Sequence, residues 1–245
     1  MIPALIGGVV VGLLLGLLGS GGSIATVPIL VYGLAMPEKA AIASSLAIVG
    51  CIALVGALRS KVEKRAVLAF GLPGMAGSFL GATLSASMAA STQMLLFAAV
   101  LAIAAVSMLM RRESEDDVGA RGPIWQLVLS GLATGVLTGI VGVGGGFLIV
   151  PALVLFAGIP TRRAIGTSLA IIAMQSFAGF ARHATLLSAS GVTLDYRLIA
   201  AFAALGIVGS VGGAALGKRL PQATLRRAFG GFVLVMAGVI AFTTV

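Results

Sequence analysis

Long apolar runs broken by short charged patches set the pattern of this chain. Charge is confined to Glu38–Lys39, Arg59–Arg65, Arg111–Arg121, Arg162–Arg163, Arg182, Asp195–Arg197, Lys218–Arg219 and Arg226–Arg227. Between these patches lie apolar segments at 3–18, 24–35, 40–58, 65–87 and 90–110, then at 123–141, 147–158, 163–181, 195–217 and 222–244. Most have the roughly 17–25 residues that an α-helix needs to cross hydrocarbon. The pattern predicts an all-α integral membrane protein. Segments 24–35 and 147–158 are shorter, and only a glycine cluster separates each from the segment before it. The clusters lie in GLLGSGGSIATVPIL, Gly16 to Leu30, and GIVGVGGGFLIVPAL, Gly139 to Leu153.

Composition supports this reading. With 59% hydrophobic and 9% charged residues and a mean hydropathy of +1.16, the chain lacks the polar surface of a soluble globule. The net charge of +9 does not point to nucleic acid, because the basic residues stand at the ends of apolar segments and not along one face. A single cysteine, Cys51, rules out an intramolecular disulfide and a Cys-rich metal site. The first apolar run lacks a basic lead and a cleavage site, so it is expected to be a retained helix.

The chain is internally duplicated. Gly12–Ser60 set against Gly135–His183, an offset of 123 residues, gives 19 identities in 49 positions. Among them are Gly16/Gly139, Gly19/Gly142, Gly21/Gly144, Gly22/Gly145, Pro28/Pro151, Pro37/Pro160, Ser45/Ser168 and Arg59/Arg182. Further on, an offset of 132 aligns Gly74, Gly77 and Gly81 with Gly206, Gly209 and Gly213. The second copy therefore carries about nine extra residues, placed in Thr185–Tyr196. This divides the chain into a first membrane repeat, 1–110, a linker, 111–122, and a second repeat, 123–245, together expected to form one domain.

Topology turns on the glycine-separated pairs. If each pair were one broken crossing, the 16 Lys and Arg would split 9 to 7 between the two sides, with almost no bias. If each pair returns to its starting side, the second repeat is inverted relative to the first. Arg59, Lys61, Lys64, Arg65, Arg111, Arg112, Arg121, Arg162, Arg163, Lys218, Arg219, Arg226 and Arg227 then share one side, leaving Lys39, Arg182 and Arg197 opposite. That 13-to-3 split satisfies the positive-inside rule. The expected fold is thus two inverted repeats, each a Gly-rich re-entrant helix pair followed by three crossing helices, in a multi-pass cell-membrane protein with both termini extracytoplasmic.

Irregular backbone is tolerated at membrane depth only where it is buried in protein or lines a cavity. Residues 24–35 rise about 18 Å as a helix, which would hold the first loop near mid-bilayer. Where the chain leaves each loop into a helix, free amides and a positive dipole end favour an anion. The candidate site comprises Gly19, Ser20, Gly21, Gly22 and Ser23 in the first copy and Gly142, Gly144, Gly145 and Gly146 in the second, with Thr26 adding a hydroxyl. The other reading is that these glycines only permit close helix packing. A nucleotide-binding loop is excluded, since neither copy ends in Lys-Ser or Lys-Thr or follows a strand.

Ser44, Ser45, Thr167 and Ser168 are further candidates, whose hydroxyls either bind ligand or bond back to their helix. Gln175 and Ser176 replace Ile52 and Ala53 of the first copy, and an intramembrane amide such as that of Gln175 needs a partner. Arg59 and Arg182 stand at helix ends, where they snorkel or steer and gate an anion. His183 reads as interfacial, and Cys51 and the methionines read as packing residues. All seven acidic residues fall in or beside predicted loops. With no membrane-centre carboxylate, a cation transporter, a carboxylate-driven pump and a metal-dependent enzyme are disfavoured. No cofactor, catalytic group or metal ligand is expected.

The paired G-x-x-G-x-G-G-x-x-x-x-x-P pattern at Gly16–Pro28 and Gly139–Pro151, together with Pro37–Ala47 and Pro160–Ala170, resembles the TauE/SafE sulfite exporter family, transmembrane permeases for sulfur-containing anions. The resemblance spans essentially the whole chain, with Ser23 standing where the second copy has Gly146. It implies export of sulfite or organosulfonates from the bacterial cytoplasm across the inner membrane. The expected partners are thus a small inorganic or organic sulfur anion and the lipid bilayer, with no nucleic acid; a homo-oligomer stays open. A passive anion channel is the alternative to a carrier, and a membrane enzyme is a distant third.

Overall fold

The computed structural model describes residues 2–18, 23–110, 122–143, 146–217 and 222–244. All its regular elements are helical. They are α1 (Ile2–Leu18), α2 (Thr26–Pro28) running into a π-helical segment (Ile29–Gly33), α3 (Glu38–Leu58), α4 (Lys64–Ala66), which continues through a π segment (Val67–Gly71) into α5 (Leu72–Ala86), α6 (Ala90–Met110), α7 (Ile124–Val141), α8 (Gly146–Ala157), α9 (Thr161–Ala189), α10 (Tyr196–Gly217) and α11 (Gln222–Thr244). Among the described residues, five helices are long and apolar enough to cross a membrane: Glu38–Leu58, Lys64–Ala86, Ile124–Val141, Arg163–Ala189 and Tyr196–Leu216. α9 continues to Ala189, past the boundary expected at 181, so part of the extra sequence of the second copy lengthens this helix. The π segment before α5 has a local cause. Pro73 offers no N–H to Ala69 and its ring crowds that carbonyl, which favours a wider turn. Its counterpart Leu205 lies in an unbroken α10.

Both glycine-separated pairs fold back. The N–H of Gly122, just before α7, donates to the carbonyl of Phe156 at the end of α8 (2.9 Å). In the first pair, a Cβ on Gly7 of α1 would lie 2.8 Å from Ile29 Cγ2 of the returning segment. Each pair leaves the helix layer near where it began. Tyr32, at the exit of the first pair, shares a hydroxyl hydrogen bond with Thr243 near the C-terminus (3.0 Å). The N-terminal hairpin and the end of α11 therefore meet at one end of the bundle, here called the termini end.

Glycine decides how the helices pack. A Cβ on Gly12 would overlap the backbone of Gly206, and one on Gly16 the carbonyl of Ser210, so α1 and α10 lie backbone to backbone and parallel. The same holds for α7 and α5, where Gly135 meets Gly74 and Gly139 meets Ser78. Shifts of 123 and 132 residues convert each contact of the first pair into one of the second, including Gly8–Phe202 into Gly131–Phe70. Without a hydrophobic drive between helices in lipid, such close approach maximises dispersion contact.

Two helices of equivalent sequence, α3 and α9, also pack on each other. Gly50 faces Phe177, Gly56 faces Leu169 and Ser60 faces Gly166, so residue numbers ascend in one helix as they descend in the other. The pair is antiparallel. A Cβ on Gly56 would lie 3.0 Å from Leu169 Cδ1, and one on Gly179 3.2 Å from Leu46 Cδ1, which is the same contact made with the partners exchanged. The α3–α9 pair anchors one apolar core with Leu30, Ile48, Ile52, Phe70, Leu153, Ile171, Ile172 and Phe202. A second core joins α6 (Phe97, Leu101) and α11 (Val233, Ile240) to Ile24, Val27, Ile42, Ile140 and Val143 around the two hairpins.

Candidate functional site

The second glycine loop is held from three directions. α7 ends in a left-handed turn: Gly142 has φ of 76°, and its N–H reaches back to the Thr138 carbonyl (2.9 Å). A side chain at this position would also strike the Ile42 backbone, with its Cβ 2.9 Å from Ile42 Cα. Three carbonyls at the end of α7 are met by donors from other helices. His183 Nε2 of α9 is 2.7 Å from Gly139 O, Gln93 Nε2 of α6 is 3.1 Å from Ile140 O, and Ser45 Oγ of α3 is 2.6 Å from Gly142 O. These side chains satisfy the negative pole of the α7 dipole, which would otherwise repel an anion. The amides that open α8 at Gly146 lie on the opposite, positive pole of the loop.

This loop lies off-centre in the bundle. Ile42 and Ser45 are four and seven residues into α3, so the loop stands about 6–10 Å below the start of that helix, roughly a third of its length.

Buried hydroxyls without partners mark the interior. Thr26, Ser44, Ser78 and Ser176 are each at most 1% exposed, and no protein group bonds their side-chain oxygens. Ser78 Oγ would lie 2.5 Å from a Cβ on Gly179, and Ser176 precedes Gly179 by about one helical turn. Leaving a hydroxyl unbonded in an apolar interior costs on the order of 1–3 kcal/mol. Four such groups on α2, α3, α5 and α9 are therefore candidates for meeting a ligand or ordered water.

The sequence-derived candidates separate into several places. Gly19, Ser20, Gly21, Gly22, Gly144 and Gly145 lie outside the described residues. Ser23 and Gly146 are buried where their segments resume after each loop. Ser45 also donates to Ile42 O (2.8 Å), Ser168 donates to Ile165 O (2.8 Å), and Thr167 Oγ1 accepts the Glu63 N–H (3.0 Å). Of the two readings for these hydroxyls, bonding back to the helix holds for Ser45 and Ser168. The structure does not bring the two hydroxyl pairs together. Ser44 and Ser45 stand near the termini end, whereas Thr167 meets the connection after α3, about 20 Å further along that helix.

Gln175 finds its partners within the protein. Its amide lies against Gly74, with long contacts to Thr134 Oγ1 (3.5 Å) and Thr138 Oγ1 (3.4 Å) of α7. The equivalent place in the other half is apolar, with Ile52 against Gly206 and with Val11 and Leu15 at the threonine positions. Arg59 is exposed at the end of α3. Arg182 is half-buried, donates from Nε to Thr83 Oγ1 (2.9 Å) and lies over the Phe79 ring, 5.4 Å from its centre.

Sequence reasoning missed Gln93, Thr134, Thr138 and Ser78; His183, read as interfacial, is 4% exposed within the protein. The signal for Gln93 was present: an amide in an apolar segment needs a partner, the same rule that singled out Gln175. Among the described residues no group of His, Cys, Asp or Glu is gathered to hold a metal. Asp195 is spent on capping α10, accepting the N–H groups of Arg197 and Leu198 (3.0 Å each).

Comparison with known proteins agrees with this picture. Residues 4–240 match the family model described as "Sulfite exporter TauE/SafE". A "Probable membrane transporter protein" of Xylella fastidiosa strain Temecula1 is 32% identical over 246 residues, covering 94% of this chain and 90% of the relative. One of Bacillus subtilis, YdhB, is 26% identical, covering 89% of this chain and 90% of the relative. Another from Methanocaldococcus jannaschii is 26% identical, covering 73% and 70%. No solved structure gives a significant match. The chain belongs to the TauE/SafE family, whose members are membrane transporters and not enzymes.

Proposed function

We propose that the protein is a secondary transporter or facilitator that exports small sulfur-containing oxyanions, such as sulfite or organosulfonates, across the bacterial inner membrane. The observation that carries the anion reading is the set of buried, unpartnered hydroxyls on Thr26, Ser44, Ser78 and Ser176 within an interior that holds no carboxylate among the described residues. Hydroxyl and backbone donors suit an oxyanion, whose several oxygens each accept hydrogen bonds, and no fixed negative charge opposes it. The sulfur chemistry rests on the family.

The mechanism we infer is rocking of two inverted repeats, 1–110 and 123–245, within one transport domain. It is supported by the exchanged contacts Gly56–Leu169 and Leu46–Gly179, and by the antiparallel run of α3 against α9, which carry equivalent sequence. The folding back of both hairpins supports the arrangement that divides Lys and Arg 13 to 3, with the termini outside.

Counterflow in proteoliposomes loaded with sulfite, thiosulfate, sulfoacetate, sulfate or chloride tests the proposal. A carrier gives saturable, trans-stimulated exchange of the sulfur anions. Non-saturating flux without counterflow would make the protein a passive channel, and absence of flux for every sulfur anion would overturn the substrate class.

A further inference from the structure

A small cavity of about 90 Å³ lies near the termini end of the bundle, and none of the unpartnered hydroxyls lines it. It is formed where α3 begins and α5 and α9 end, and is lined by Lys39, Ser85, His183, Leu187 and Ser190 among others. Its polar content is one ammonium, one imidazole and two hydroxyls, with no carboxylate. The hydroxyl protons are already engaged, Ser85 Oγ with Ala82 O (2.9 Å) and Ser190 Oγ with Leu186 O (3.0 Å). Arg182, the next residue to His183, is committed to Thr83 and Phe79. The Lys39 side chain has no hydrogen-bond or ion-pair partner among the described residues, and it is the uncommitted charge of the cavity.

His183 joins this cavity to the second glycine loop. Gly139 O has no hydrogen to give, so the short contact at 2.7 Å requires Nε2–H to donate. Gly139 is three residues before the left-handed Gly142 that opens the loop. One ring therefore both walls the cavity and holds the end of α7.

In sequence, a shift of 123 residues converts Lys39 into Arg162, so a cation recurs at the counterpart of Lys39 at the start of α9.

We propose that the Lys39–His183 cavity is a second anion-binding site, at the outer mouth of the pathway, whose occupancy is coupled to the glycine loop through the His183–Gly139 hydrogen bond. The proposal rests on the anion-transport reading above. Lys39 supplies the charge, and the limited volume selects a small oxyanion over a bulky sulfonate. His183 is a positioning residue: it does not set the charge of the site but fixes the backbone beside it.

The test is equilibrium titration of the purified full chain in detergent with thiosulfate and with sulfite, paired with counterflow in proteoliposomes. The parental protein should show two classes of site. Lys39→Gln should lose one class or weaken it at least tenfold, Lys39→Arg should retain both, and Arg197→Gln, which removes an exposed charge at the same end, should match the parent. His183→Ala should keep both classes while counterflow slows several-fold. Two classes unchanged in Lys39→Gln, or one class lost equally in Lys39→Gln and Lys39→Arg, would overturn the site while leaving anion transport standing. Unchanged counterflow in His183→Ala would overturn the coupling. A parental protein that neither binds nor exchanges either anion removes both this site and the proposed function.

Discussion

Ala35 and Gly158, 123 residues apart, both adopt left-handed backbone, with φ of 51° and 60°. Each turns the chain out of a returning hairpin toward a proline that opens the next helix, Pro37 or Pro160. At Ala35 the turn is closed by the Met36 N–H on Leu30 O (3.1 Å). Glycine accepts this geometry freely, whereas a Cβ raises its cost by about 1–2 kcal/mol. Ala35→Gly should therefore raise the thermal midpoint in detergent, and Gly158→Ala should lower it. Equal midpoints for parent and both variants would show that neither turn is strained.

Close packing gives a sharper contrast. A side chain at Gly139 meets the Ser78 carbonyl and the Ala82 amide nitrogen, both backbone atoms that cannot rotate aside, whereas one at Gly212 on α10 meets nothing within 4 Å. Gly139→Val should cost at least the 1–3 kcal/mol typical of overpacking and sharply reduce folded yield. Gly212→Val should stay within about 0.5 kcal/mol of the parent. Size-exclusion profiles and thermal unfolding of the two variants decide the matter; similar losses in both would mean that glycine content, and not helix contact, is what matters.

These packing glycines also show what could be read from the chain and what could not. The helices were legible because apolar length and charged boundaries are local properties. The role of individual glycines was not. Gly16 and Gly139 belong to the repeated motif, yet each lies within a helix and serves the contact with α10 or α5, while Gly142 makes the turn. The packing reading of the glycine clusters thus holds at Gly16 and Gly139. The pairings that hold the second loop could not be read, because Ser45, Gln93 and His183 are 97, 47 and 44 residues from the carbonyls they meet. No sequence spacing encodes such a pairing. Gln175 against Gly74 was equally hidden, although the need of its amide for a partner was not.

Buried hydroxyls with and without partners should respond differently to removal. Ser45 Oγ lies within hydrogen-bond distance of Ile42 O and Gly142 O, so Ser45→Ala should lower stability by about 1 kcal/mol and loosen the loop. Ser78 and Ser176 make no protein hydrogen bond. Ser78→Ala and Ser176→Ala should leave stability unchanged or slightly raised, since an unbonded buried hydroxyl is itself a cost. If those hydroxyls hold the anion, each alanine should weaken sulfite binding by about 1.5–3 kcal/mol, or roughly ten- to a hundred-fold. Parental affinity in both variants would move the site away from the α5–α9 contact.

Orientation can be read with single cysteines in a Cys51→Ala background. Ser87 follows α5 and Ser190 follows α9, both exposed and at the termini end; Lys61 lies exposed in the connection after α3, at the opposite end. The inverted arrangement expected from the sequence puts 13 of the 16 Lys and Arg on the side of Lys61, and retention of positive charge in the cytoplasm sets overall orientation. A membrane-impermeant maleimide added to intact cells should therefore label Ser87→Cys and Ser190→Cys, and should reach Lys61→Cys only after permeabilisation. The reverse pattern would turn the protein over and make its outer mouth an inner one. Labelling of Ser87→Cys and Ser190→Cys from different sides would overturn the inverted arrangement itself, because α5 and α9 are the fourth and third segments of their repeats and finish on one face only if the two repeats run in opposite directions.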